Sequence, residues 1–155
     1  MSTQPQPLPV TEVKLTDTIK SLVNGALAAK RPMSFAYTDD DGKPNLSLRG
    51  SVLVYNDTQL AVWVRNPEGG LVKALAKHPH LALLYADPAA EQRSFLTFRG
   101  RGRFDDSEAV RRDVYDRSPE VERNLDKERK GKALIIDLDS VHGMAAGQRL
   151  QMVKK

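Results

Sequence analysis

Cysteine is missing from the chain altogether, tryptophan occurs once, and aromatic residues make up only 6% of its 155 positions. Without thiols there is no disulfide framework, no thiolate metal site and no cysteine nucleophile, and this composition suits a reducing cytoplasm, the compartment expected for the protein. No apolar run reaches the roughly 20 residues that a helix needs to cross a bilayer, so a membrane is not an expected partner. The stretch Met1–Pro9 is polar and proline-rich. It resembles neither a signal peptide nor an anchor and reads as part of a disordered arm over residues 1–12. Residues 13–155 then form a single domain, long enough to bury a hydrophobic core of its own.

What is present begins with positive charge. A net charge of +4 and a pI near 9.4 invite an anionic partner. Most basic residues alternate with acids, as in Arg111-Arg112-Asp113 and Asp126-Lys127-Glu128-Arg129-Lys130, which is the pattern of a solvated helix surface. Only Arg99-Gly100-Arg101-Gly102-Arg103 concentrates one sign, and in a strand its arginines share one face. That reads as the exposed side of an edge or barrel strand. A nucleic-acid groove would also carry interleaved aromatics, whereas only Phe98 and Phe104 flank this run, so nucleic acid is not expected as a partner.

Hydrophobic periodicity supplies the elements. Ile19, Leu22, Val23, Ala26 and Leu27 form a helical stripe that predicts a helix over Thr16–Ala29, capped by Thr16 or Asp17. Met33–Tyr37 reads as a strand, followed by a turn through Asp39-Asp40-Asp41-Gly42-Lys43-Pro44. The aspartates lack the later carboxylates of a calcium loop, and His78-Pro79-His80 has no evident third ligand, so no metal site is expected. Asn45–Tyr55 and Gln59–Arg65 read as strands joined by Asn56-Asp57, which makes three sequential antiparallel strands. Next come a short helix over Leu71–Lys77, a fully apolar strand over Leu81–Ala86 and a long strand over Arg93–Phe104 in which Gly100 and Gly102 permit a bend. A helix begins at Ser107 with Val110, Val114 and Tyr115 inward, and a charged helix runs from Pro119 to about Lys130. Ala133–Leu138 is the last strand, and the tail after Val141, broken by Gly143 and Gly147, shows no regular pattern. The expected fold is mainly β in the α+β class: a six-stranded antiparallel barrel with peripheral helices and no free edges.

One constellation carries chemistry. Arg49, with Gly50 and Ser51 beside it, lies in the second strand, and Arg65 ends the third. The chain then turns through Asn66-Pro67-Glu68-Gly69-Gly70 into a helix start. Free backbone N–H groups and the helix dipole favour an anion there, and glycine lets the amides approach it. Cationic strand ends flanking such a turn suit a phosphate-tailed ligand.

The order of these elements, together with Pro44-Asn45-Leu46-Ser47-Leu48-Arg49-Gly50-Ser51, Leu60-Ala61-Val62-Trp63-Val64-Arg65-Asn66, Leu71-Val72-Lys73-Ala74-Leu75 and Phe98-Arg99-Gly100-Arg101-Gly102, resembles the pyridoxamine 5′-phosphate oxidase-like FMN-binding split-barrel family over about residues 15–138. The resemblance implies that the six-stranded antiparallel barrel is a split β-barrel, and that the protein is a homodimer with flavin sites at the subunit interface. It implies that Leu48, Arg49, Gly50 and Ser51 lie along the flavin ring, that Trp63, Val64, Arg65 and Asn66 touch the ring and ribityl chain, and that Gly69, Gly70, Leu71 and Lys73 receive the phosphate. For Trp63 ordinary core packing remains the alternative. The family's basic pair before the helix is replaced here by Gly70-Leu71, and its late Trp and Arg have no counterparts beyond the isolated Gln148 and Arg149. Vitamin B6 oxidation is therefore not expected. The implied function is an FMN-dependent oxidoreductase that moves hydride or electrons between a reduced nicotinamide and a small planar acceptor, with no catalytic residue assigned. Alternatives on the same fold are a deazaflavin enzyme, its longer tail lying across Arg99, Arg101 and Arg103, and a non-catalytic flavin or haem binder or stress protein, the haem version using His142.

Overall fold

The computed structural model describes residue 4 and residues 6–155. Helix α1 (Asp17–Asn24) is capped by Thr16, whose hydroxyl accepts the Ile19 amide at 3.3 Å, and it buries Ile19 and Val23. It ends a turn earlier than its apolar stripe predicts. Asn24 there turns its side-chain oxygen to the Val54 amide at 2.8 Å, and the chain winds on through turns to Lys30 at φ 59°. Upstream of α1, the Thr11 amide bonds to the Gln151 carbonyl at 3.0 Å.

Strands β1 (Met33–Thr38), β2 (Pro44–Arg49), β3 (Leu53–Asn56) and β4 (Gln59–Val64) follow. The single strand expected over Asn45–Tyr55 is thus two, because the chain leaves the sheet at Gly50-Ser51-Val52. Ser51 and Val52 turn inward there, and the Ser51 hydroxyl donates to the Trp63 carbonyl at 3.0 Å. Then come α2 (Gly70–Lys77), β5 (His80–Asp87), β6 (Ser94–Asp105), α3 (Glu108–Arg117), α4 (Glu120–Arg123), β7 (Lys132–Ala145) and β8 (Gln148–Val153). Eight strands replace the expected six, the last pair being a hairpin turned by Ala146 and Gly147, both at positive φ.

All strand pairings are antiparallel, in the order β2-β1-β5-β6-β7-β4-β3, with β8 on β7. The three-strand meander expected from short links is therefore not formed. β2 and β3 are consecutive in sequence yet stand at opposite ends of the sheet, joined only covalently through the Gly50–Val52 link. The barrel is split at that point, as the family resemblance implies, and β2 and β3 remain edge strands, so the expectation of no free edges is not met. Where β6 and β7 pair, a bulge at Gly100 brings the Asp137 carbonyl into the space a Cβ would need.

The main core fills the barrel with Phe35, Leu60, Val62, Leu83, Leu96, Phe98, Leu134 and Ile136. The other face of β4 and β7 carries a second core, in which Ala61, Trp63, Ala133 and Ile135 meet Leu53 and the α3 residues Val114 and Tyr115. β4 is thereby buried on both faces. The outer face of β2, β1, β5 and β6 has no such cover: Leu46 and Leu48 are 75% and 66% exposed, and Leu84 and Phe95 are also exposed. None of the described helices is long and apolar enough to cross a membrane.

The charged helix expected to run to Lys130 stops at Arg123. Asp126 leaves the helical path to accept three hydrogen bonds, from the Lys130 and Gly131 amides and from the Trp63 indole, and Arg129 takes a left-handed φ of 57°. Local bonding to one carboxylate replaces helix propagation.

Candidate functional site

Where the barrel splits, a cavity of about 860 Å³ opens between the β2–β3 link, the end of β4, the start of α2, and α4 with the segment after it. Eleven of the twelve sequence-derived candidates line it: Leu48, Arg49, Gly50, Ser51, Trp63, Val64, Arg65, Asn66, Gly69, Gly70 and Leu71. Lys73 does not. It points outward from the first turn of α2 and is exposed.

Arg49 is the centre of charge. As the last residue of β2 it lies opposite Met33 of β1, on the barrel side of the sheet, with its guanidinium 5.4 Å from the centroid of the Phe35 ring. Its Nε is buried and has no hydrogen-bond partner. Burial lowers the guanidinium's hold on its proton below the ordinary arginine value, and Arg65 adds to that; Tyr37 and Glu122 oppose it. Arg65, exposed at the end of β4, is a second cation on the wall and Lys130 a third, while Glu68, Glu122 and Asp126 bring carboxylates to the same lining. Two like charges facing one space repel each other, and an anion between them relieves both.

The α2 end of the cavity is built by backbone. The Asn66 side-chain oxygen accepts the Glu68 amide at 3.0 Å, and its carbonyl accepts the Gly69 amide at 3.3 Å, which shapes the turn before the helix. Gly69 is the N-cap and offers no side-chain oxygen, so the first-turn amides of Gly70 and Leu71 have no acceptor among the described residues. A Cβ placed on Gly70 would meet nothing within 4 Å.

Ser51 and Trp63 are engaged elsewhere. The Ser51 hydroxyl proton goes to the Trp63 carbonyl. The indole of Trp63 is only 3% exposed and meets Tyr115 edge-on, with ring centroids 5.2 Å apart; its N–H donates to Asp126. Trp63 therefore presents its margin to the cavity while its ring belongs to the second core.

Pro67 and Glu68 of the turn also line the cavity, and sequence reasoning missed Tyr37, Glu122, Leu125, Asp126 and Lys130, which complete it. The last four sit in the stretch read as solvated helix surface, and their only local signal was an apolar Leu125 among charges. Arg101 and Arg103, by contrast, are paired across the sheet with Asp139 and Asp137, at 3.0 Å in each case, and no residue of the arginine-glycine run lines the cavity. Asp39 organises its turn by accepting the Asp41 and Lys43 amides and the Asn45 side chain.

No protein-family model matches the sequence, and no curated protein matches it. Solved structures do. A candidate pyridoxamine 5′-phosphate oxidase from Lactobacillus delbrueckii superposes with a TM-score of 0.60 at 17% identity, covering 84% of this chain and 94% of that one. A Clostridium acetobutylicum protein related to general stress protein 26 of Bacillus subtilis, of the pyridoxinephosphate oxidase family, gives 0.60 at 13% identity, covering 89% and 96%. An FMN-binding protein from Syntrophomonas wolfei gives 0.56 at 10% identity, covering 79% and 80%. Antiparallel pairing between all the named strands, the break at Gly50–Val52 and these superpositions together show that the chain has the split-barrel fold of the pyridoxamine 5′-phosphate oxidase-like proteins.

Proposed function

We propose that the protein binds FMN noncovalently in the cavity at the split and is a flavin-dependent oxidoreductase, passing hydride or electrons between a reduced nicotinamide and a small planar acceptor. The observation that carries this reading is the buried, unpartnered Nε of Arg49 in a cavity that also holds Arg65 and the open amides of the α2 start. These groups fit a phosphate monoester: a planar guanidinium can bond two of its oxygens, and the helix start adds N–H donors and a favourable dipole. The cavity's volume is within the range of cofactor pockets. Bound flavin would supply the electron-transfer chemistry. The chain's part is to hold the phosphate with Arg49, Arg65 and the Gly70 and Leu71 amides, and to wall the pocket with the β2–β3 link and the loop after α4.

The same reading makes the protein a homodimer. Leu46 and Leu48 on β2, Leu84 on β5 and Phe95 on β6 leave an apolar outer face, and a second copy is the partner that covers it. Leu48 also lines the cavity, so a subunit docked on this face lies beside the ligand. The cytoplasm, with its reduced nicotinamide, is the compartment this reading requires.

The test is to purify the protein, saturate it with FMN, desalt it, and record the absorption spectrum with the bound compound identified by mass. NADH or NADPH oxidation with a soluble quinone is then followed. Stoichiometric FMN with turnover supports the reading; stoichiometric FMN without turnover reduces it to a flavin carrier. A colourless protein overturns it.

A further inference from the structure

Glu122, in the middle of α4, is half-buried and lines the cavity, yet among the described residues its carboxylate makes no hydrogen bond and no ion pair. Its carboxylate lies against Gly50. A Cβ on Gly50 would overlap the Glu122 carboxylate, so the absence of a side chain at Gly50 is what lets this acid stand against the β2–β3 link. α4 is itself clamped: the Tyr115 hydroxyl donates to the Arg123 carbonyl at 3.1 Å, and the Arg123 guanidinium reaches back to the carbonyls of Asp116 and Ser118. The backbone that carries Glu122 is thus held, and its carboxylate, open to the cavity and without a partner in the described chain, is placed to accept a hydrogen bond from a bound molecule. Arg49, in the same cavity, is a donor left without an acceptor.

We propose that Glu122 is a specificity-determining residue that accepts a hydrogen bond from an uncharged N–H or O–H group of the ligand whose anionic group Arg49 holds. The pair selects ligands that combine an anion with a donor-bearing edge, such as a polyol chain or a ring N–H, and disfavours compact anions that bring only negative charge near Glu122. This inference rests on the flavin reading.

Affinities of the wild type, Glu122→Ala, Glu122→Gln and Arg49→Ala proteins would be measured for FMN and for riboflavin, which lacks the phosphate, by quenching of flavin fluorescence, alongside thermal melts of the unliganded proteins. Glu122→Ala is expected to weaken riboflavin by about tenfold, for one hydrogen bond to a charged acceptor, and FMN by less, because losing the acid also relieves its repulsion of the phosphate. Glu122→Gln, which keeps the shape and one acceptor oxygen, should lose less and stands in if the alanine variant folds poorly. Arg49→Ala should weaken FMN far more than riboflavin. Unchanged or tighter binding of both flavins to the Glu122 variants would overturn the assignment while leaving the flavin site standing. A wild-type protein that binds neither flavin would overturn the flavin reading, and this inference with it.

Discussion

The indole N–H of Trp63 donates to Asp126 Oδ2 across 2.9 Å, tying the end of β4 to the loop that walls the cavity. The same carboxylate accepts the Lys130 and Gly131 amides at 3.0 and 2.9 Å, so one acid holds the loop closed on itself and onto the barrel. Asp126→Ala should leave three donors unpaired and cost about 1–3 kcal/mol in chemical denaturation, by the usual penalty for orphaned donors. The tryptophan emission of the folded state should shift as well, since Trp63 is the only indole.

The Asp126 carboxyl also makes this loop sensitive to acid. Burial pushes its pKa up, but the Lys130 amide, the Trp63 indole and the Gly131 amide outweigh that, and the net pKa is below the ordinary value. A carboxyl with a lowered folded pKa contributes stability that is present above its unfolded value, about pH 4, and is lost as the pH falls through the folded pKa. Trp63 emission should therefore change in that acid range and not between pH 5 and 8. In Asp126→Asn this acid step should vanish.

Arg49→Ala should weaken FMN binding by about 1.5–3 kcal/mol, the worth of a charge-assisted contact. Arg49→Lys should recover only part of it, because an ammonium lacks the planar fork. A flavin titration reads both; unchanged affinity in Arg49→Ala would remove this residue from the site.

Gly70→Val separates ligand from fold. A Cβ at Gly70 meets no protein atom within 4 Å, and φ there is not positive, so the melting temperature should hardly move. FMN affinity should fall, because the added methyls would stand where the helix-start amides meet the phosphate. Full flavin loading in this variant would place the phosphate elsewhere.

The double substitution Leu46→Asp and Leu48→Asp puts two charges on the uncovered face of β2. Sedimentation velocity should show a dimer for the unaltered protein and a monomer for this variant, and the variant should hold flavin less tightly. An unaltered protein that sediments as a monomer would dismiss this face as the subunit contact.

Much of the site was legible because it is local. Residues 48 to 71 hold two arginines, the link and the glycine turn within one stretch of chain, and the eleven candidates in that stretch all line the cavity. Lys73 stands apart because the helical period turns it outward while Leu71, Ala74 and Leu75 face in. Glu122 and Lys130 were not legible. In a charged stretch nothing local separates a solvated acid from one aimed into a cavity, and only the packing of α4 against Gly50 makes that distinction. The strand count failed for a related reason: Gly50-Ser51-Val52 continues an extended pattern, and its departure from the sheet depends on the distant Trp63 carbonyl.

By itself the sequence determined the local elements: strands from two-residue alternation, helix starts from Thr16 and Ser107, and a glycine turn that follows Arg65 and opens a helix. Those are short-range consequences of side-chain period and backbone freedom. Tertiary structure alone decided that β2 and β3 stand at opposite ends of the sheet, that the barrel opens between them, and that an acid more than seventy positions downstream of Arg49 shares its cavity. Strand order rests on which long-range pairings bury the most apolar surface at once, a sum over the whole chain that no single segment displays.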